Sequence, residues 1–390
     1  MKYDFDTPVS RYGTDAAKYA GLTGADGELL PLWVADMDFP APPEVLEALQ
    51  ARVAHGVFGY GELAGEAYFK PLHDWYARRF GWSVEREWLV KTPGVVFAVY
   101  NAVRAFTQPG DGVLTLEPVY YPFARAVKGN GRKPAVSQLV YKDGRYFVDF
   151  ADFERKIVEG GVKLFILCSP HNPVGRVWTR DELTQMGEIC LRHGVKVVAD
   201  EIHADFVRPG YLHTVFANIS PEFADSTVTC TAPSKTFNLA GLQNSNIFIS
   251  NGRLREAFER EVSRTGYGEP NVMGIVSCQA AYAHGEQWIE ELKTYLEGNL
   301  DYVRAYLKAH IPQIRLVEPE GTYLIWLDCT ALGMDAGKLD DFMYCKAGLW
   351  LDNGPLFGAG GAGFQRMNIA CPRKTLEKAM QRLEKAVKEI

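Results

Sequence analysis

The chemistry of this sequence centres on four residues that follow short apolar runs or lie in turns between elements. They supply an aromatic ring, a side-chain amide, a carboxylate and an amine: Tyr120, Asn172, Asp200 and Lys235. One cofactor, pyridoxal phosphate (PLP), uses all four groups. Its aldehyde binds an amine, its ring nitrogen a carboxylate, its phenolic oxygen a donor, and its face a stacking partner. The set therefore predicts a PLP site.

Each of these residues also has an ordinary structural interpretation. A lone lysine is most often a surface residue, and an aspartate at a strand end often caps the following helix. Asn172 precedes a proline, as turn residues do, and the neighbouring Tyr121 competes with Tyr120 for the stacking position. Lys235 lies in a turn-like Ser-Lys-Thr-Phe-Asn stretch rather than on a charged helix face, which favours the chemical role.

A phosphate site is predicted at residues 92–96, Thr-Pro-Gly-Val-Val. There an apolar run ends, Pro and Gly turn the chain, and an apolar helical pattern begins. Backbone N–H groups at a helix N-terminus bind phosphate, and Gly94 lets the backbone approach closely. Gly94, Val95 and Val96 are therefore candidate cofactor-binding residues, although many strand-to-helix turns share this pattern.

Arg366 is the candidate for substrate binding. Period-two alternation places it on one face of a predicted strand with Phe364 and Asn368. An arginine fork pairs a carboxylate at two points and would fix the α-carboxylate of an amino acid. The alternative interpretation is a structural ion pair.

The elements that position these residues alternate along the chain. Apolar runs predict strands at 88–91, 113–116, 163–168, 195–199, 227–230 and 246–249. Helical patterns lie at 43–55, 95–106, 121–128, 153–159, 180–192, 254–264, 271–284 and 286–310. The alternation predicts an α/β fold with a mainly parallel sheet covered on both faces. Ligands bind such sheets at the carboxyl ends of the strands, where the candidate residues would converge.

The C-terminal part changes character. Strands at 314–317, 322–328 and 364–369 mix with helices at 338–347 and 373–388, which predicts a smaller α+β domain. The Gly- and Pro-rich N-terminal segment is too short to hold a core and should pack against it. We therefore expect residues 1–49 to belong to the small domain, 50–285 to form a large domain and 286–390 to complete the small one.

The length and composition of the chain exclude several classes of protein. A chain of 390 residues suggests two or three domains, and 47% hydrophobic with 23% charged residues excludes disordered and fibrous proteins. The formal net charge of −6 gives no general reason to bind nucleic acid or membranes. Seven single cysteines without a CxxC pair, no apolar signal segment and no long apolar run predict a soluble cytoplasmic protein.

Six strings in order and spacing resemble the fold-type I PLP enzymes of the class I/II aminotransferase superfamily, and within it the MalY/PatB-type cystathionine β-lyase group. They are LLPLWVADMDFP, HGVFGY, CSPHNPVGRVW, VVADEIHAD, APSKTFNLAGLQ and QRMNIACPR. The resemblance covers essentially the whole chain. It implies a seven-stranded, mainly parallel sheet sandwiched by helices and PLP as the cofactor.

The resemblance also implies roles for single residues. Lys235 would bind the cofactor covalently and move the proton at Cα, and Tyr60 would reach the phosphate of the neighbouring subunit, so that the protein would be a homodimer with shared active sites. The other residues implied to contact the cofactor are Asp200, Asn172, Tyr120, His203, Gly94, Val95, Val96 and Ser234. The residues implied to contact the substrate are Arg366 and Ala35.

Two positions depart from the general aminotransferase pattern. His203 stands where the wider superfamily usually has Tyr, and Gln243 stands where it usually has a phosphate-binding Arg. Both departures resemble the β-lyase group. They favour a carbon–sulfur lyase that acts on cystathionine or cysteine S-conjugates, with an aminotransferase as the alternative. A binding protein without turnover is disfavoured, because it would not need Lys235, Asp200 and Arg366.

Two further signals do not fit the functions they resemble. Residues 358–363 match GxGxxG, but a strand rather than a helix follows, so we expect a flexible active-site loop instead of a dinucleotide site. Asp200, Glu201, His203 and Asp205 could pass for metal ligands, but on an extended chain their side chains point to both faces. We therefore predict no metal site.

Overall fold

A computed structural model describes residues 2–25, 28–61 and 65–390. Its strands are β1 (Leu30–Pro31), β2 (Leu89–Thr92), β3 (Gly112–Glu117), β4 (Lys133–Gln138), β5 (Val140–Lys142), β6 (Arg145–Phe147), β7 (Val162–Cys168), β8 (Lys196–Asp200), β9 (Thr227–Thr231), β10 (Ser245–Phe248), β11 (Arg315–Val317), β12 (Leu324–Asp328), β13 (Leu349–Trp350), β14 (Asp352–Asn353) and β15 (Phe364–Asn368).

The helices lie between and around these strands. They are α1 (Pro43–His55), α2 (Glu66–Phe80), α3 (Val95–Phe106), α4 (Pro122–Gly129), α5 (Phe150–Glu159), α6 (Arg180–Arg192), α7 (Pro221–Asp225), α8 (Pro233–Thr236), α9 (Gly252–Arg264), α10 (Val272–His284), α11 (Glu286–His310), α12 (Ala336–Asp341) and α13 (Arg373–Lys388).

The large sheet has seven strands in the order β2-β10-β9-β8-β7-β3-β4. Strand β10 runs antiparallel to both of its neighbours, and the other neighbouring pairs are parallel. The predicted α/β class and the mainly parallel seven-stranded sheet are confirmed.

Burial on both faces explains why the central strands are apolar throughout. In β7, Phe165 and Leu167 pack into a core with helices α5 and α6, whereas Leu164 and Ile166 pack into a second core with α3. Successive side chains of a strand point to opposite faces, so both sets must be apolar. The sheet is therefore a rigid centre layer between two helical layers.

The C-terminal part forms an antiparallel sheet in the order β11-β12-β15-β14. Strand β1 pairs in parallel with β13, which joins the N-terminal segment to this region. The expected boundary at residue 49 falls inside the continuous helix α1, which packs against α10. The exact division into domains stays a prediction.

Several elements differ from the sequence-based expectation. Helix α2 was not predicted, since Pro71 and interspersed charges interrupt its apolar pattern. Edge strand β4 was also not predicted, because Pro134 weakens a strand pattern and is tolerated only at a sheet edge. The helix predicted at 338–347 is wrong in its second half, where α12 ends at Asp341 and a π-helical turn follows at Phe342–Lys346. Within the described ranges, no helix combines the length and apolarity needed to cross a membrane.

Candidate active site

One cavity lies at the carboxyl ends of the central strands. Ten of the predicted site residues line it: Ala35, Gly94, Val95, Val96, Tyr120, Asn172, Asp200, His203, Ser234 and Lys235. Tyr120 and Asn172 follow β3 and β7, Asp200 ends β8, and Lys235 lies in the short helix after β9. The convergence arises because parallel strands end at the same edge of a sheet.

Lys235 points into this cavity from α8. Its Nζ donates a hydrogen bond to the Ala35 carbonyl oxygen at 2.6 Å. Burial lowers the pKa of Lys235 to about 8, because the charged ammonium loses solvation, and the positive charge of Arg366 acts in the same direction. A lysine held in this way has an accessible neutral form near neutral pH, which a nucleophile or a base requires.

Asp200 is the buried carboxylate of the cavity, with 4% of its surface exposed. Its Oδ1 accepts from the backbone N–H of Ile202 at 3.2 Å. Burial raises the pKa of Asp200 to about 7, since desolvation disfavours its charged form and outweighs the opposing effect of Lys235. The carboxylate is therefore poorly compensated and would gain from a cation placed in the cavity.

His203 lies beside these two groups. Burial lowers its pKa well below the usual value, and the charges of Lys235 and Arg366 act in the same direction, so the ring is neutral. Its ring meets Tyr323 edge to face with the centroids 5.8 Å apart. Its buried Nδ1 has no hydrogen-bond partner within the described residues.

The predicted phosphate end is built by the turn into α3. Gly94 is the residue before the helix, with φ 176, an extended conformation open to any residue. A Cβ added at Gly94 would meet no atom within 4 Å, so the space beside this backbone is open. Gln243 is exposed and does not line the cavity.

Arg366 lies just behind the cavity on β15, with 2% exposure. Its Nη1 donates to Asn172 Oδ1 at 3.1 Å and its Nη2 to the Trp33 carbonyl oxygen at 2.6 Å. Its Nη2 also pairs with Asp352, which lies opposite it on β14. The buried Nε has no partner in the described part of the chain. The guanidinium is thus held by three contacts, one from the neighbouring strand β14 and two from segments distant in sequence.

The N-terminal segment forms one wall of the site. The Ala35 carbonyl accepts from Lys235 and also from the Tyr323 hydroxyl at 3.0 Å. Asn368 donates to the carbonyls of Val34 and Asp36 at 2.7 and 2.6 Å. Asn238 accepts from the Met37 N–H and donates to the carbonyls of Met37 and Phe39. Sequence reasoning missed Tyr323 and the neighbouring supports Asp352 and Asn238. The available signal was the helix-free stretch LLPLWVADMDFP, whose carbonyl groups need partners.

The remaining candidates lie outside the cavity lining. Tyr121 packs against Phe357 and the Arg125 guanidinium instead of lining the cavity, which favours Tyr120 as the stacking residue. Tyr60 is 91% exposed in the single chain.

The glycine-rich stretch 358–363 is not an active-site loop in this structure. A Cβ at Gly361 would lie 2.0 Å from the Gly354 carbonyl oxygen, and one at Gly358 would meet the Glu117 carboxylate. No described residue of the stretch lines the cavity. The prediction is corrected, because the glycines permit close packing beside β3.

In the acidic cluster near Asp200, Glu201 pairs with His213 and Asp205 with Arg79.

The comparisons with known proteins agree with this geometry. The family model "Aminotransferase class I and II" matches residues 28–383. The chain is 43% identical to cystathionine beta-lyase PatB of Bacillus subtilis (98% of this chain, 100% of the relative). It is 32% identical to protein MalY of Escherichia coli (100% of both). It is similar to the crystal structure of cystalysin from Treponema denticola, which contains a PLP cofactor, with a TM-score of 0.96 and 41% identity over 100% of both chains. The chain therefore belongs to the class I and II aminotransferase family, in the group that contains PatB and MalY.

Proposed function

We propose that this protein is a PLP-dependent carbon–sulfur β-lyase that converts L-cystathionine or L-cysteine S-conjugates to a thiol, pyruvate and ammonia. The observation that carries the proposal is that Lys235 and the undercompensated carboxylate of Asp200 line the same cavity. Similarity to a cystathionine beta-lyase supports the reaction. An aminotransferase is the second candidate, because the family model bears that name.

The residues present fit PLP. Asp200 lacks a cation, which the protonated ring nitrogen of PLP would supply. The Nδ2 group of Asn172 makes no hydrogen bond within the described ranges and is free to donate to the phenolic oxygen. Val95 and Val96 place helix N-terminal N–H groups at the cavity wall, where Ser234 adds a hydroxyl for the phosphate.

The roles of the chain follow from these positions. When bound, PLP would supply an electron-withdrawing ring that stabilises negative charge at the substrate Cα. Arg366 binds the α-carboxylate and so orients the Cα–H bond. Lys235, whose pKa is lowered to about 8, removes the α-proton, and the thiolate then leaves from Cβ. Asp200 would keep the ring nitrogen of PLP protonated, Tyr120 would stack on the ring, and neutral His203 would lie beside them without adding charge. Ala35 lies at the substrate side and holds the Lys235 amine through its carbonyl.

We also propose a homodimer in which Tyr60 contacts the phosphate in the partner's cavity. Its side chain is exposed, as are Val57 and Phe58 beside it, so this stretch is available to a second copy. A cytoplasmic location is proposed as well, since all seven cysteines are free thiols.

A product assay tests the reaction. Incubated with L-cystathionine and no keto acid, the protein should release pyruvate and ammonia in equal amounts, because elimination needs no second substrate. Pyruvate is measured by coupled reduction to lactate. L-Alanine, which lacks a leaving group at Cβ, is the control and should yield no pyruvate. Turnover that strictly requires a keto acid would identify an aminotransferase instead.

Replacing Lys235 tests the covalent site. Lys235→Ala should lose the visible absorbance band of lysine-bound PLP and reduce turnover by about 10²-fold or more, because the base is gone. Lys142→Ala removes an exposed lysine of β5 and should change neither quantity. A wild-type protein that shows no such band after purification with PLP would reject the assignment.

Replacing Arg366 tests carboxylate binding. Arg366→Ala should weaken kcat/KM by about 2–5 kcal/mol, mainly through KM, as expected when one partner of a buried charge pair is removed. Arg366→Lys keeps the charge but loses the fork, so its KM should lie between those of the wild type and the alanine variant. An unchanged KM in both variants would leave Arg366 with a structural role only.

Subunit complementation tests the contribution of Tyr60. Tyr60→Ala and Lys235→Ala should each be weakly active alone, whereas mixed dimers formed by refolding them together regain one complete site per dimer. Activity of the mixture should therefore exceed that of either variant. Sedimentation as a monomer, or a mixture no more active than its components, would contradict the shared site.

A further inference from the structure

Lys91 on β2 is a buried lysine for which the proposed reaction has no use. It is 4% exposed, and no carboxylate lies within ion-pair distance of it among the described residues. Its Nζ lies 3.4 Å from the centroid of the Tyr68 ring and 3.4 Å from Asn246 Oδ1. Burial lowers its pKa to about 7, because the ammonium is desolvated without a counter-ion.

A chain of buried polar groups connects Lys91 to the cavity. The Tyr68 hydroxyl donates to Asn246 Oδ1 at 2.5 Å and accepts from Asn244 Nδ2 at 2.9 Å. Asn244 lines the cavity, and its buried Oδ1 has no partner within the described residues. Asn244 immediately precedes β10, and Asn246, two residues further on, lies directly opposite Lys91 in the sheet.

The other titratable groups that face Lys91 are the Tyr68 hydroxyl on α2 and the Cys278 thiol on α10, which lie 2.9 Å from each other. Burial raises the pKa of both, so both are neutral near neutral pH. Lys91 is therefore the group of this cluster that can carry a charge, and that charge is positive.

The phosphate end of the cavity shows what this charge could serve. Gly94, Val95, Val96 and Ser234 offer backbone N–H groups and a hydroxyl, and among the lining residues the structure describes, the only cationic side chain is Lys235. A phosphate monoester carries up to two negative charges near neutral pH. Lys91 lies two residues before Pro93, on strand β2, which leads into the predicted phosphate-binding turn at residues 92–96.

We propose that Lys91 is the buried counter-charge of the cofactor phosphate, acting across the low-dielectric interior rather than by direct contact. The proposal rests on the proposed function, since it requires PLP in the cavity. A charge in a poorly solvated interior acts over several ångströms, so direct contact is not required. Lys91 is thus a positioning residue for the cofactor.

The test measures cofactor binding rather than activity. In Lys91→Met, which keeps the length of the side chain and removes the charge, the dissociation constant of PLP from the holoenzyme should rise about tenfold, one pK unit of interaction. In a ³¹P NMR titration, the bound phosphate should have a lower apparent pKa in the wild type than in the variant, because the positive charge of Lys91 stabilises the dianion, whose ordinary pKa is about 6.

Two further variants make the result decisive. Lys163→Met removes an exposed lysine from β7 and should change neither the affinity nor the phosphate titration. Lys91→Gln replaces Lys91→Met if the latter does not fold. If Lys91 only packs on Tyr68, its folded variants would bind PLP with unchanged affinity and an unchanged ³¹P signal, and the proposal would be wrong. A wild-type protein that binds no PLP would overturn the proposed function and this inference together.

Discussion

The structure depends on the removal of water from opposite charges that converge at one edge of a sheet. Lys235 and Asp200 both lie in a cavity where the charged form of each is disfavoured, so the pKa of the lysine falls and that of the aspartate rises. Leaving a charge buried without a partner costs several kcal/mol. The cavity of the protein alone is therefore electrostatically incomplete. A ligand with a protonated ring nitrogen and an electrophilic carbon matches what its two central groups lack.

A second constraint is that the cavity is assembled from segments far apart in the chain. The stretch around Ala35 is held by Tyr323 and Asn368 from the small antiparallel sheet. It is also held from the N-terminal side, where the Arg11 guanidinium and the buried Lys18 amine both bind Asp38 at 2.8 Å. This wall therefore cannot shift without breaking ion pairs that are shielded from solvent. The position of the Lys235 amine is consequently coupled to the packing of the first forty residues.

The sequence predicted the parts of this arrangement that follow from local rules. Buried strands that alternate with helices fix a sheet, and residues just beyond its strands, such as Tyr120, Asn172 and Asp200, must then meet at one edge. The partners of Arg366 follow no such rule. Asp352 lies opposite it in a strand of two residues, too short to leave an alternating pattern. The Trp33 and Ala35 contacts use backbone carbonyls, which every residue carries, so side-chain types gave no signal for them.

Lyase and aminotransferase chemistry begin from the same site geometry. Both begin with a carboxylate held by Arg366 and an α-proton taken by Lys235, so neither residue distinguishes them. The two reactions diverge only afterwards, according to whether the substrate carries a leaving group at Cβ and whether the proton is returned to the cofactor side. The Lys235 amine has a backbone acceptor, the Ala35 carbonyl, and no carboxylate partner within ion-pair distance among the described residues. One carbonyl oxygen does not replace the solvation that burial removes, so a lysine that has taken the α-proton readily gives it up again. Lys235 therefore serves either reaction, and the leaving group of the substrate at Cβ decides which one follows.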